Sequence, residues 1–264
     1  MGLDCLLQAV PSPSPVICQE PQMCTVCDST DKTQQSRRNF LKLATAGFAT
    51  TVLPAFAASA QPPKPENVIS PQEALQRLMA GNERYVADKT TPASFSAMRA
   101  SLAQGQNPYA CILSCADSRV SPELCFDADR GDLFVTRVAG NFVTPEILAS
   151  LEYGTAVLQS PLILVLGHTS CGAIKASIKA VKSDEDFPGH IQQLATSLTP
   201  AIDAAMKRNP KDLEEAATRE NVRLNVESLR NSTPLLRRLV QTKKLQVVGG
   251  VYDLKTGKVT LLND

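Results

Sequence analysis

The chain has 264 residues, with 27 basic and 26 acidic side chains and a formal net charge of +1. Such a balance, with no run of like charge, removes the electrostatic basis for binding nucleic acid or an anionic membrane surface. After Pro65 there is no internal repeat and no low-complexity segment.

The first stretch is unlike the rest: about sixty residues rich in Pro, Ser, Thr and Ala, with no sustained period of 2 or 3.6. Within it Ser36, Arg37, Arg38, Asn39, Phe40, Leu41 and Lys42 have the form of a twin-arginine export signal. A weakly apolar run from Leu43 to Phe56 follows, then a small-residue cleavage site at Ala55, Phe56 and Ala57, with a second cut available after Ala60. Met23 would give a leader of more ordinary length than Met1. The apolar run is about fifteen residues, broken by Thr45, Gly47, Thr50, Thr51 and Pro54, and a membrane span needs roughly twenty. The expectation is an exported, periplasmic chain, with residues 1–57 cleaved and 58–264 forming a single domain of about 200 residues. Residues 58–69 would be its linker. No stable membrane span is expected, and the export partner would be the twin-arginine machinery.

Ser70 begins a capping box with Pro71 at the first helical position and Glu73 three residues on. Ala74, Leu75, Leu78 and Met79 continue at helical spacing, so a helix is expected over 70–86. A polar, irregular stretch runs to Pro108. Tyr109–Leu113 then reads as a buried strand, and Asp132–Val138 as a second. Thr144 and Pro145 open a helix to about Gln159, with Ile147, Leu148, Leu151, Thr155 and Leu158 on its inward face.

Leu162–Leu166 is a third buried strand, and a helix follows from Gly172 to about Val181. Two more helices are expected over about 191–206 and 211–231, and a short one after Thr233 and Pro234. Leu245–Val251 reads as a fourth strand, and a turn at Gly257 folds Lys258–Leu262 back as an antiparallel edge. The alternation of strand and helix predicts an α/β fold: a central, mostly parallel four-stranded sheet with an antiparallel fifth edge strand, flanked by helices.

Eight cysteines are present. Cys5, Cys18, Cys24 and Cys27 lie in the leader, where the Cys24/Cys27 spacing has no strand-helix pattern around it to suggest a redox motif. Cys111, Cys115, Cys125 and Cys171 lie in the domain. Cys111 and Cys115 are separated by about 13 Å of strand, too far for a disulfide, which needs Cα atoms within roughly 7 Å.

Cys115 follows the first strand, and His168 and Cys171 follow the third. Two thiolates and one imidazole are a soft set suited to one Zn²⁺, and three protein ligands are the number that catalytic zinc sites use. Asp117, two residues after Cys115, competes with water for the fourth position. Arg119 can turn Asp117 away by a bidentate pair that also keeps it ionised. Cys111, Cys125 and His190 are poorly placed as a fourth ligand.

A Cys-x-Asp-x-Arg segment at Cys115, Asp117 and Arg119, followed about fifty residues later by Gly-His-x-x-Cys-Gly from Gly167 to Gly172, resembles the β-class carbonic anhydrases from about Ser70 to Tyr252. The resemblance implies reversible hydration of CO₂ to bicarbonate by zinc-hydroxide attack. Cys115, His168 and Cys171 would be zinc ligands, and Asp117 and Arg119 the catalytic pair. It further implies a plant-like substrate pocket of Gln106, Phe134, Ala139, Tyr153 and the Gly172 N–H. A homodimer or higher homo-oligomer is implied too, with the 70–86 helix at its interface. The chain has no Trp, which departs from the other bacterial subtype and its tryptophan-containing bicarbonate site. Alternatives on the same residues are hydrolysis of carbonyl sulfide or carbon disulfide, and zinc binding without catalysis.

Overall fold

The computed structural model describes residues 69–91, 95–183 and 185–263. The export signal, its cleavage sites and the leader cysteines lie outside the described residues.

The capping box forms as expected. Ser70 Oγ accepts from Glu73 N–H, Glu73 Oε2 accepts from Ser70 N–H at 2.7 Å, and helix α1 runs Pro71–Val86. Helix α2, Phe95–Leu102, occupies part of the stretch expected to be irregular. Strand β1 is Ala110–Ser114, followed by a single turn α3, Pro122–Cys125, and strand β2, Leu133–Arg137. Thr144 caps α4, Pro145–Glu152, through its hydroxyl and Ile147 N–H.

The helix expected to reach Gln159 instead widens into a π-helical turn over Tyr153–Val157. Thr155 Oγ1 donates to Leu151 O at 2.8 Å there, which offers that carbonyl an alternative to the α-helical ladder.

Strand β3 is Leu162–His168, so His168 is the last residue of the strand rather than part of a turn. Helices α5 (Gly172–Ser183), α6 (Ile191–Met206), α7 (Leu213–Asn231) and α8 (Leu236–Gln241) precede β4 (Gln246–Tyr252) and β5 (Val259–Leu261).

The sheet order is β2-β1-β3-β4-β5, parallel except for the β4–β5 pair. β1 and β3 are buried along their whole length, as continuous apolar runs covered on both faces must be. Alternation divides them. Ala110, Ile112, Leu162, Leu164 and Leu166 join a core with Leu78 and Tyr109 on one face, while Cys111, Leu113, Ile163 and Val165 pack with Val222 and Val226 on the other.

The chain leaves β1 for β2 on one side and returns past it to β3 on the other. This reversal makes a topological switch point at the carboxyl ends of β1 and β3, where open α/β sheets place ligands. Ser114 pairs with Leu166, so the next residue, Cys115, emerges beside Gly167 and His168.

Helix α1 is anchored to its own domain. Ala74 and Leu78 are buried, and Asn82 Nδ2 donates to the carbonyls of Cys125 and Gly257 while its Oδ1 accepts from Val259 N–H. Only the opposite face of this helix remains for the interface expected of it. Among the described residues no helix is long and apolar enough to cross a membrane.

Candidate metal centre

The strand ends bring Cys115, His168 and Cys171 together, all buried, with their donor atoms within 4.8 Å of one another. The Cys115 and Cys171 sulfurs are 3.9 Å apart and form no disulfide. His168 Nδ1 lies 2.9 Å from Thr169 O, an arrangement in which Nδ1–H donates and the lone pair falls on Nε2. That Nε2 is buried without a hydrogen-bond partner.

Asp117 borders this group, with Oδ2 3.8 Å from His168 Nε2. Arg119 holds it by three bonds: Nε to Oδ1 at 2.9 Å, Nη2 to Oδ2 at 2.7 Å, and the backbone N–H to Oδ1 at 3.0 Å. Arg119 Nη2 also donates to Ser170 O at 3.2 Å, tying the two ligand loops together.

The family described as "Carbonic anhydrase" matches residues 110–259 of this chain. A carbonic anhydrase of Mycolicibacterium smegmatis is 36% identical over 193 residues, covering 73% of this chain and 93% of that protein. Carbonic anhydrase 2 of Mycobacterium tuberculosis is similar to the same extent. Among solved structures, the β-carbonic anhydrase CcaA superposes with a TM-score of 0.59 at 26% identity, over 72% of this chain and 95% of that one. A Coccomyxa β-carbonic anhydrase gives 0.56 at 29% identity, over 71% and 86%.

The chain belongs to the β-class carbonic anhydrases.

The residues fit the zinc ion of this family. Two sulfurs bound to one tetrahedral zinc at about 2.3 Å stand about 3.8 Å apart, close to the 3.9 Å found here. The orphaned His168 Nε2 would be the third donor, and the Nδ1 contact with Thr169 O is the kind of bond that fixes the ring of a metal-binding histidine.

The two thiols share one site for negative charge. Their mutual hydrogen bond comes first in lowering Cys115, with donation from Gly140 N–H also helping, while the same bond pushes Cys171 up. Burial works against a charged His168, but the neighbouring Cys115 and Asp117 raise its pKa in sum. Asp117 is held well below the usual carboxylate range, foremost by the Arg119 side chain, and so is ionised at neutral pH.

This single chain separates the residues expected to form the substrate pocket. Ala139 adjoins Gly140, whose N–H donates to Cys115 Sγ at 3.3 Å, and Gly172 follows Cys171 at the start of α5, with nothing within 4 Å of where a Cβ would stand. These two are at the centre.

Phe134 is level with Cys111 on the sheet, about 13 Å short of Cys115 at a strand's rise. Its ring is 6.1 Å from that of Tyr153. Gln106 is exposed beside Arg130 and Gly131, at the amino ends of β1 and β2. Gln106, Phe134 and Tyr153 therefore do not reach the metal centre of their own chain. Parallel strands put the residues before them and after them at opposite ends of the strands. The poorly placed candidates are accounted for: Cys111 and Cys125 are buried in packing, and His190 is exposed at the start of α6.

Arg137 carries no motif signal but is part of the site's frame. From the end of β2 its Nε donates to Cys115 O at 2.9 Å, and its Nη2 to Asp117 O at 2.7 Å and Val120 O at 2.8 Å. One guanidinium thus fixes the backbone on both sides of the first ligand loop. Only the register of β2 against β1, which pairs Arg137 with Ser114, reveals this.

Proposed function

We infer that the chain catalyses the reversible reaction of CO₂ with water to give bicarbonate and a proton, with Cys115, His168 and Cys171 holding one zinc ion. The convergence of these three donors beside an Asp117 that Arg119 keeps ionised is the observation that carries the reading. Bound there, Zn²⁺ supplies a Lewis acid that makes water a nucleophile at neutral pH.

The protein's own residues do the rest. Thr169 O holds His168 as the tautomer whose Nε2 faces inward. Asp117 would accept a hydrogen bond from the nucleophile and aim the nucleophile's lone pair at the carbon of CO₂, where it forms the third C–O bond of bicarbonate as one C=O π pair moves onto oxygen. Its turn towards Arg119 leaves the position beside the three donors open. Ala139 offers an apolar wall for a small uncharged substrate, and the Gly172 N–H a donor for the oxygen that gains charge.

Gln106, Phe134 and Tyr153 would complete the pocket across a homo-oligomeric interface. In support, Tyr153 and Val157, one turn of the same helix, are 46% and 60% exposed, and β2 is an edge strand with only β1 beside it. The bidentate Asp117–Arg119 pair and the lack of Trp favour the plant-like subtype. Arg37 and Arg38 with the apolar run after them support twin-arginine export to the periplasm, with cleavage after Ala57 or Ala60. Export of a folded protein would let zinc be loaded before the thiols meet an oxidising compartment.

The decisive experiment is CO₂ hydration and zinc content measured on the same purified chain. Activity proportional to zinc supports the reading, and zinc-loaded protein without activity would refute it. Replacing Arg37 and Arg38 together by Lys should hold the chain in the cytoplasm; undiminished export would refute the signal.

A further inference from the structure

We propose that Asn221 on α7, backed by Asn225, is a positioning residue for the Cys115 thiolate, acting through the loop at Gly140. The proposal rests on the assignment of Cys115 as a zinc ligand and adds a part of the protein that the ligand motifs do not contain.

Gly140 N–H points at Cys115 Sγ, 3.3 Å away. A hydrogen bond to a metal thiolate draws charge from the sulfur, so the aim of this N–H sets how strongly the sulfur donates. The backbone that aims it is not one a chain adopts unaided. Gly140 has φ +85° and the next residue, Asn141, has φ +42°. A Cβ at Gly140 would stand 2.7 Å from Leu198 Cδ1, so the loop is also pressed against α6. Two successive left-handed residues, the second not glycine, persist only where the surroundings hold them.

The holding groups are two amides one turn apart on α7. Asn221 Nδ2 donates to Gly140 O at 2.8 Å, and Asn221 Oδ1 accepts from Asn225 Nδ2 at 3.0 Å. Asn225 Oδ1 in turn accepts from Val143 N–H at 2.7 Å. The relay grips the loop at both ends, Gly140 and Val143. Asn221 is 3% exposed, and its contact with Gly140 spans 81 residues of chain. Helix α7 is a firm base, since Val222 meets the backbone of β3 at Gly167, directly before His168. One helix therefore braces both the strand that ends in the imidazole and the loop that donates to the thiolate.

The test compares the full chain with Asn221→Leu, which keeps the side chain's approximate size but cannot donate, and with Asn225→Ala, which breaks the relay one link further out. Zinc affinity is read by competition with a chelator, and the sulfur itself by the near-ultraviolet thiolate-to-metal band of the cobalt(II)-substituted protein. Asn221→Leu is expected to weaken zinc binding about 10- to 100-fold, because the loop no longer holds the sulfur in place, and to move the band to longer wavelength, because a sulfur without the Gly140 N–H is richer in charge. Asn225→Ala should shift both in the same direction by less.

A variant that melts at lower temperature yet keeps the parent's zinc affinity and band would show that the asparagines only satisfy buried backbone, and would overturn the proposal. Should Asn221→Leu fail to fold, Asn225→Ala decides on the same two readouts. If the parent lacks the band, or Cys115→Ser retains it undiminished, the ligand assignment falls and the proposal with it.

Discussion

Arg119 clasps Asp117 at both carboxylate oxygens, 2.9 Å from Nε to Oδ1 and 2.7 Å from Nη2 to Oδ2, and so turns the carboxylate aside from three convergent metal donors. Both carboxylate oxygens are thereby engaged by one guanidinium, while Oδ2 stays 3.8 Å from His168 Nε2.

Asp117→Asn keeps the shape of this side chain and removes its charge. CO₂ hydration should fall at least 100-fold, the range for a lost acid-base group, with zinc content unchanged. Stopped-flow assay with metal analysis on the same sample checks both.

Arg119→Ala removes the main cause of the lowered Asp117 pKa. A carboxylate with a depressed folded-state pKa stays ionised until the pH falls below the usual range. Without Arg119 that pKa rises, so the acidic limb of the rate profile should move to higher pH. A kcat/KM profile carried from neutral pH down through the usual carboxylate range, to about pH 3, would show it; an unmoved limb there would mean that Arg119 does not control Asp117.

Cys171→Ser should lose most of its zinc, since it removes one of only two soft donors. A chelator should abolish activity of the parent and added zinc restore it. Retention of full activity by metal-free protein would exclude the assigned chemistry.

Arg137→Leu removes one donor from each of three carbonyls, of which Asp117 O keeps Val120 N–H. The expected cost is about 1–3 kcal/mol of stability, with a drop in kcat of tenfold or more because the Cys115–Val120 backbone loses its fixed geometry. Melting temperature and kinetics on the same variant separate the two effects.

Glu220, 3% exposed, pairs with Arg223 and also with Arg208 at 3.1 Å. The Arg223 bond comes first in holding its pKa below the ordinary carboxylate value. Its stabilisation is therefore fully present above the unfolded value, about 4.3, and is lost as pH falls through the folded one. Glu220→Gln should lower stability by about 1–3 kcal/mol at pH 7, and the gap to the parent should narrow progressively as pH falls below the unfolded value. Urea melts at both pH values test this.

Elements with strong local signals were legible in the chain. The capping box at Ser70 and Glu73, the buried runs of β1 and β3, and the bounds of α6 each follow from neighbouring residues alone. Helix α2 was not, because its mixed composition has no clear period. The π-helical turn at Tyr153–Val157 was not either; Gly154 in it lies close against Cys111 and Phe134, both distant in the chain.

The same division runs through the site. By themselves, the residues of Cys115, Asp117, Arg119, His168 and Cys171 determine the ligand chemistry, since a soft donor set and a carboxylate-guanidinium pair are properties of side-chain type and short spacing. Only the tertiary structure decided that Arg137 braces the Cys115 loop and Asn221 the Gly140 loop, and that Gln106 lies at the opposite end of the strands from Cys115. Each of these depends on the register of parallel strands or on a contact between distant segments, and no local pattern of residues encodes where such segments meet.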